Sequence, residues 1–372
     1  MMNVLPGLML ASVAGAANAT FALPMKFARK WAWENIWLMW SLFALLLLPL
    51  GTAILTIPSL AAVYGEAGMG TVLLVATCGV GWGLAQVLFG LSVDSIGMGL
   101  AFSIVLGLSA AVGSLLPLLR LGHGFLHSPA APIVLLGIAL VLAGVSVCAV
   151  AGRLREKAQG AALAGTKPFA AGLLMAVCSG LCAASMNFGV AFGGPIVAAA
   201  SAHGASAQQV VNAVWLPLLS AGALPNLFYC IYLLSRKRTW TNFQDSHAPL
   251  YSLFALIMAI LWFFSTALYG TATRWLGDLG VVVGWPVFMS MIVITASLLG
   301  MVTGEWKRSG KRPIALQFLG MLLLVLAVVT FACAPRPTRS ASQSHCASRI
   351  PHAIAACSIG THLFQRINLN VR

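Results

Sequence analysis

The chain alternates between long apolar runs and short polar joints. Ten apolar segments stand out, near residues 4–24, 35–57, 71–92, 97–118, 132–152, 168–190, 209–234, 249–270, 279–302 and 313–333. An α-helix needs about 20 predominantly apolar residues to cross a bilayer. The runs are continuous, whereas the strands of a transmembrane β-barrel alternate polar and apolar residues. The pattern therefore predicts an all-α polytopic membrane protein with ten transmembrane helices.

Residues 1–19 raise the question of a signal peptide, because Ala17-Asn18-Ala19 has small residues at cleavage-site spacing. No positive charge precedes the apolar stretch; Lys26, Arg29 and Lys30 follow it. That order is the reverse of a signal peptide. The segment is expected to be the first spanning helix, entering from the outside.

Loop charge gives the orientation. With the N-terminus outside, the inside joints hold Lys26, Arg29, Lys30, Arg153, Arg155, Lys157, Lys167, Arg236, Lys237, Arg238, Lys307, Arg308, Lys311 and Arg312. Before residue 334 the outside joints hold only Arg120 and Arg274. Lys and Arg concentrate in cytoplasmic loops, so both termini are expected in the periplasm. Composition agrees: 60% of the residues are hydrophobic and 8% charged, against about 45–50% and about 25% in soluble domains. The net charge of +14 then belongs to cytoplasmic loops and does not point to nucleic acid. A lipid bilayer is the expected surrounding.

The pattern divides the chain into a first five-helix half (1–152), a cytoplasmic linker (153–167), a second half (168–333) and a Ser-, Arg- and His-rich tail (334–372) expected to be disordered. Five helices per half require the second half to enter the membrane inverted. Two correspondences support such a repeat. Gly7-Leu8-Met9 with Gly15 matches Gly172-Leu173-Leu174 with Gly180, and Trp82, Phe89, Gly90 and Gly97 match Trp262, Tyr269, Gly270 and Gly277. Inverted repeats place substrate near the midplane, between the halves.

The chemistry-bearing residues narrow the function. All seven acids (Glu34, Glu66, Asp94, Glu156, Asp245, Asp278 and Glu305) fall at helix ends or in joints, and the membrane interior holds no charge. An embedded enzyme would need an acid, base or metal cluster there. Cys178 and Cys182 are four apart with no His nearby, so neither a metal nor another cofactor is expected. The interior polar residues are neutral. Asn18, Gln86, Asn187 and Thr266 can exchange hydrogen bonds with a polyol; Trp82, Trp262, Tyr269 and Trp285 offer faces for a sugar ring. Trp82 with Gln86, and Trp262 with Thr266 and Tyr269, each share one helix face. Two tryptophan planes facing one midplane cavity would hold a sugar ring between them. The same polar residues also serve as glue between helices. Gly79, Gly81 and Gly83 permit close helix approach, and Pro217, Pro225 and Pro286 can free carbonyls.

Several motifs resemble one family. Leu23-Pro24, Lys26, Lys30-Trp31-Ala32-Trp33-Glu34, Trp37 and Pro49 are similar to the opening of the L-rhamnose–proton symporter family, within the drug/metabolite transporter superfamily. Trp82-Gly83, Phe89-Gly90-Leu91 and Ile96-Gly97-Met98 resemble its third helix and hairpin. Gly304-Glu305-Trp306-Lys307 with Gly310-Lys311-Arg312-Pro313 resembles its last inside loop. The resemblance implies ten helices, a bacterial inner-membrane location and sugar uptake coupled to protons. Val87 and Leu88 depart from it, standing where the family tends to carry amides, as does Asp94, where it can carry a basic residue.

The expected function is secondary active transport of a neutral sugar, L-rhamnose first, by proton symport and alternating access. An exporter of metabolites or drugs within the same superfamily is the alternative, and a membrane sensor or enzyme the third. Glu34, Asp94 and Asp278 are the candidate proton carriers, each also readable as a solvated helix cap.

Overall fold

A computed structural model describes residues 4–120, 128–159, 169–277, 280–307 and 309–333. Asp278 and the tail from 334 lie outside the described residues. Among the described residues, ten helices are long and apolar enough to cross a membrane and no strand occurs. The protein is an all-helical, multi-pass membrane protein.

The helices are α1 (Val4–Thr20), α2 (Trp33–Thr56), α3 (Met69–Ile96), α4 (Met98–Arg120) and α5 (Ala131–Ala158), then α6 (Phe169–Ala202), α7 (Asn212–Lys237), α8 (Ala248–Leu276), α9 (Gly280–Val302) and α10 (Lys311–Ala332). Two of them are irregular. The middle of α2, Leu42–Leu47, is a π-helix. α6 outruns its apolar segment because Pro195 starts a further helical piece, Gly194–Ala202; breaks at Ala184 and Gly193 separate its three pieces. The end of α5 carries helix through Arg153–Lys157, into the stretch expected to be linker.

In lipid the hydrophobic effect gives little drive between helices, so close packing through small residues matters more. A Cβ on Gly79 or Gly83 of α3 would strike the carbonyls of Leu218 and Gly222 on α7, and one on Gly81 would come within 2.9 Å of Ser185 on α6. Gly144 and Gly320 meet in the same way where α5 crosses α10.

The first five helices and the last five have corresponding packing partners. α1 lies on α8 and α9, and α6 lies on α3 and α4. Gly7 abuts Leu276 at the end of α8, while Gly172 abuts Ser95 and Ile96 at the end of α3. Ile96 and Leu276 are 180 residues apart, as are Trp82 and Trp262.

Candidate functional site

Trp82 sits halfway along α3 and Trp262 halfway along α8. Their rings stack on each other, with centroids 5.4 Å apart and planes 30° apart. A sugar ring held between two faces needs about 7–8 Å, twice a carbon–carbon contact of about 3.5–4.0 Å. This conformation therefore has no room for the expected sandwich: the two planes touch instead of flanking a cavity. The stack continues along α2. Trp40 meets Trp262 edge-on at 5.4 Å, Trp37 lies 4.5 Å from Trp40, and Trp33 stacks on Trp37 at 5.1 Å. An aromatic path thus runs from the Lys- and Arg-rich end of the bundle to its centre.

Polar groups flank the stack. Asn18 of α1 donates to Ser265 Oγ at 2.9 Å, and the Ser265 and Thr266 hydroxyls both bond back to the Trp262 carbonyl. Asn226 accepts from Trp37 Nε1 at 3.1 Å and donates to the Gly222 carbonyl at 3.0 Å. Gln86, one turn from Trp82, is half-buried and has no hydrogen-bond partner among the described residues.

Asn187, Tyr269 and Trp285 form a second group, seven residues further along α8, which is about 10 Å at the helical rise. The Tyr269 hydroxyl donates to Asn187 Oδ1, and Asn187 Nδ2 donates to the carbonyls of Gly113 at 2.7 Å and Val281 at 2.9 Å. Trp285 donates to the Ser109 carbonyl at 2.9 Å. Both amide protons of Asn187 and the Trp285 indole proton are already used between helices. Above this group a recess of about 200 Å³ opens at the end of the bundle opposite the basic loops, lined by Val190, Val211, Thr273, Arg274 and Val281 among others. Pro217 cannot supply the N–H that would bond the Ala213 carbonyl, and Tyr64 takes that carbonyl at 2.9 Å.

The basic end is fastened by ion pairs between residues far apart in the chain. Lys26 pairs with Glu305 at 3.1 Å, and Arg155 reaches the same carboxylate at 3.3 Å. Lys30 pairs with Asp245 at 3.4 Å. The Asp245 carboxyl is held down at about 2 by the His247 backbone N–H, then by the His247 ring and by Lys30. Glu34 is not a solvated cap. Its side chain is 0% exposed, with Lys237 Nζ at 3.1 Å and Thr239 Oγ1 at 2.9 Å. Two donors, both near the far end of α7, let the carboxylate stay buried. Asp94, by contrast, is exposed and has no ion-pair partner among the described residues.

The profile of the family described as L-rhamnose-proton symport protein (RhaT) matches residues 1–334. The chain belongs to this family. It is 28% identical over 331 residues to the L-rhamnose-proton symporter of Yersinia pestis (strain Pestoides F), covering 87% of this chain and 96% of that protein. It is likewise 28% identical over 322 residues to the L-rhamnose-proton symporter of Salmonella gallinarum (strain 287/91 / NCTC 13346), covering 85% and 93%. The family is one of symporters, not enzymes. The match ends at residue 334, one residue past the described structure, so residues 335–372 contribute nothing to it.

Trp40 escaped the sequence reading. It lies inside the run Trp37–Leu48, where one more apolar residue carries no signal. Its place in the aromatic stack depends on how α2 meets α8.

Proposed function

We propose that the protein takes up L-rhamnose together with protons across the bacterial inner membrane, by alternating access between two inverted five-helix halves. The observation that carries this reading is the family match along the whole membrane-spanning part of the chain. The reciprocal packing of α1 on α8 and α9 and of α6 on α3 and α4 supports the inverted halves, as do the matching glycine contacts. Lys and Arg loops favour the cytoplasm, which supports placing the basic end inside and both termini outside.

On this reading the inside is closed by three sets of ion pairs and the recess faces the periplasm. Sugar arriving from the recess meets the Tyr269–Asn187 pair first and the Trp82–Trp262 stack about 10 Å deeper. Parting of the two rings opens space for the sugar at the midplane. The apolar side of a 6-deoxyhexose, including its methyl group, then packs on an indole face. Asn18, Gln86 and Thr266 stand close enough in sequence or contact to serve its hydroxyls. Proton coupling falls to Glu34, for which the buried bridge between the halves speaks; Asp94 and Asp278 are the remaining carboxylates of the set.

The test is uptake of radiolabelled L-rhamnose into proteoliposomes. An acid-outside gradient should drive accumulation, and a protonophore should reduce it to equilibration. Binding without flux would make the protein a sensor. Failure of L-rhamnose to bind or compete would remove it as the substrate.

A further inference from the structure

Trp40, Trp82 and Trp262 touch ring to ring in the middle of the bundle. Each carries an indole N–H, and none of the three has a hydrogen-bond partner among the described residues. Two other buried tryptophans are partnered: Trp31 donates to the Asn242 carbonyl and Trp285 to the Ser109 carbonyl. Trp40 is the extreme case, 1% exposed with its nitrogen shut off from solvent. The Trp82 and Trp262 nitrogens are not shut off from solvent, so the Trp40 N–H is the one member of the cluster that is both buried and without an acceptor, an arrangement that is costly unless an acceptor arrives.

The backbone at Trp40 is also unusual. Ser41 follows with a buried hydroxyl that has no partner. Ser290 and Ser297 spend theirs on the carbonyl four residues back, whereas Ser109 and Ser114 of α4 are unpartnered like Ser41. Trp40 and Ser41 are the one consecutive pair of unpartnered buried groups among the described residues, and the π-helix of α2 starts at the next residue. Single π-turns inside α-helices cluster at functional sites. Trp215 has the other fully buried, unpartnered indole, but its nitrogen lies against Gly270, 2.9 Å from where a Cβ would stand. That contact leaves no space for a ligand.

We propose that Trp40 is a sugar-binding and specificity-determining residue, its Nε1–H donating to one hydroxyl of the bound sugar when the Trp82–Trp262 stack parts. The inference rests on the midplane site proposed above. Trp40 does not need to stack on the sugar. It reads the position of a single oxygen, while the faces of Trp82 and Trp262 take the apolar surface. A site built around a buried donor rejects analogues that lack the matching hydroxyl.

The test is a cycle of Trp40→Phe, which keeps a ring and removes the N–H, against L-rhamnose and its 2-, 3- and 4-deoxy analogues, read by binding titration of the purified full-length protein. Trp40→Phe should weaken L-rhamnose binding roughly threefold to tenfold, the range of one neutral hydrogen bond. One deoxy analogue should bind wild type more weakly by a similar factor and lose nothing further in the variant. An equal loss for all four sugars would make Trp40 a packing residue and overturn the proposal. Unchanged affinity in Trp40→Phe would overturn it too. If Trp82→Ala and Trp262→Ala weaken binding in that same experiment, the midplane site survives; if neither does, the site reading falls with it. Should the phenylalanine variant fail to accumulate, wild-type protein with ¹⁵N-labelled indoles answers the question. Saturating L-rhamnose should move the Trp40 N–H resonance downfield, and a stationary resonance would overturn the proposal.

Discussion

Trp82 and Trp262 stack on each other at the centre of the bundle, 5.4 Å between centroids, although 180 residues separate them in the chain. The contact joins the middle of the third helix to the middle of the eighth. In the alternating-access cycle proposed above, contacts between the two halves at the midplane would break and re-form, and this contact would be one of them.

Replacing either ring tests whether it meets the sugar. An aromatic contact contributes on the order of 0.5–1.5 kcal/mol beyond area burial, and each 1.4 kcal/mol is about tenfold in affinity. Trp82→Ala and Trp262→Ala should each weaken L-rhamnose binding by roughly threefold to tenfold at near-normal expression, with phenylalanine retaining part of the affinity. Titration of purified variants decides it. Normal affinity with a lowered melting temperature would leave the rings as packing alone.

The glycines that bring α3 onto α7 make a prediction about stability. A Cβ on Gly83 would run into the Gly222 carbonyl, a backbone atom that cannot swing aside. Gly83→Ala should destabilise the protein by about 1–3 kcal/mol, the usual cost of overpacking. Gly90, around which a Cβ meets nothing within 4 Å, should tolerate alanine. Thermal unfolding in detergent compares the two.

The number and position of the spans were legible because each is a continuous apolar run between polar joints. The faces of Trp82 and Trp262 were legible too, since residue spacing on a helix fixes which positions share a face. What those faces meet was not. Glu34 reads as a cap because it follows Lys30 and Trp33 at a helix start, yet its burial depends on Lys237 and Thr239, more than 200 residues away. Trp40 is hidden for a related reason: an unpartnered N–H is a property of surroundings drawn from three helices. The break in α6 at Ala184 has neither Gly nor Pro to announce it.

Orientation is tested at Lys157, exposed near the end of α5. A phosphatase fused there should be inactive, and a reporter that requires the cytoplasm should be active. A phosphatase active at this position would invert the assignment of the basic end.

Asp245 makes a prediction about pH. Its carboxyl is held at about 2 in the folded protein, first by the His247 backbone N–H, against about 3.9 for a free aspartate. A depressed folded value means stabilisation that is fully present above about pH 4 and fades as pH falls through about 2. The melting-temperature difference between wild type and Asp245→Asn should therefore show no step from the Asp245 carboxyl between pH 5 and 8, and the part due to that carboxyl should shrink below pH 4. A carboxyl step between pH 5 and 8 would show that Asp245 titrates where a proton gradient operates. Without one, Asp245 stays ionised throughout transport and carries no proton.

Glu34 is the carrier proposed above, and it can be separated from Asp245 by experiment. Its carboxylate is buried and satisfied by Lys237 and Thr239, more than 200 residues away in the chain. For symport, a proton that reaches Glu34 from the outside-facing state would neutralise the carboxylate and release Lys237, letting the basic end open, and it would leave to the cytoplasm before the bridge re-forms. Proton occupancy then follows the conformational cycle, which is what coupling requires. Glu34→Gln removes the titrating group and keeps the shape. It should leave exchange of L-rhamnose across the membrane, measured as counterflow, within about twofold of wild type. Accumulation driven by a pH gradient should disappear; at one proton per sugar, a gradient of one unit sustains at most about tenfold accumulation. Asp94→Asn, at an exposed position, is the control and should accumulate normally. Normal accumulation in Glu34→Gln would free this residue from coupling and leave the Glu34–Lys237 bridge as a fastening of the inside alone. Loss of counterflow together with accumulation would show instead that the bridge is needed for the cycle itself, whatever carries the proton.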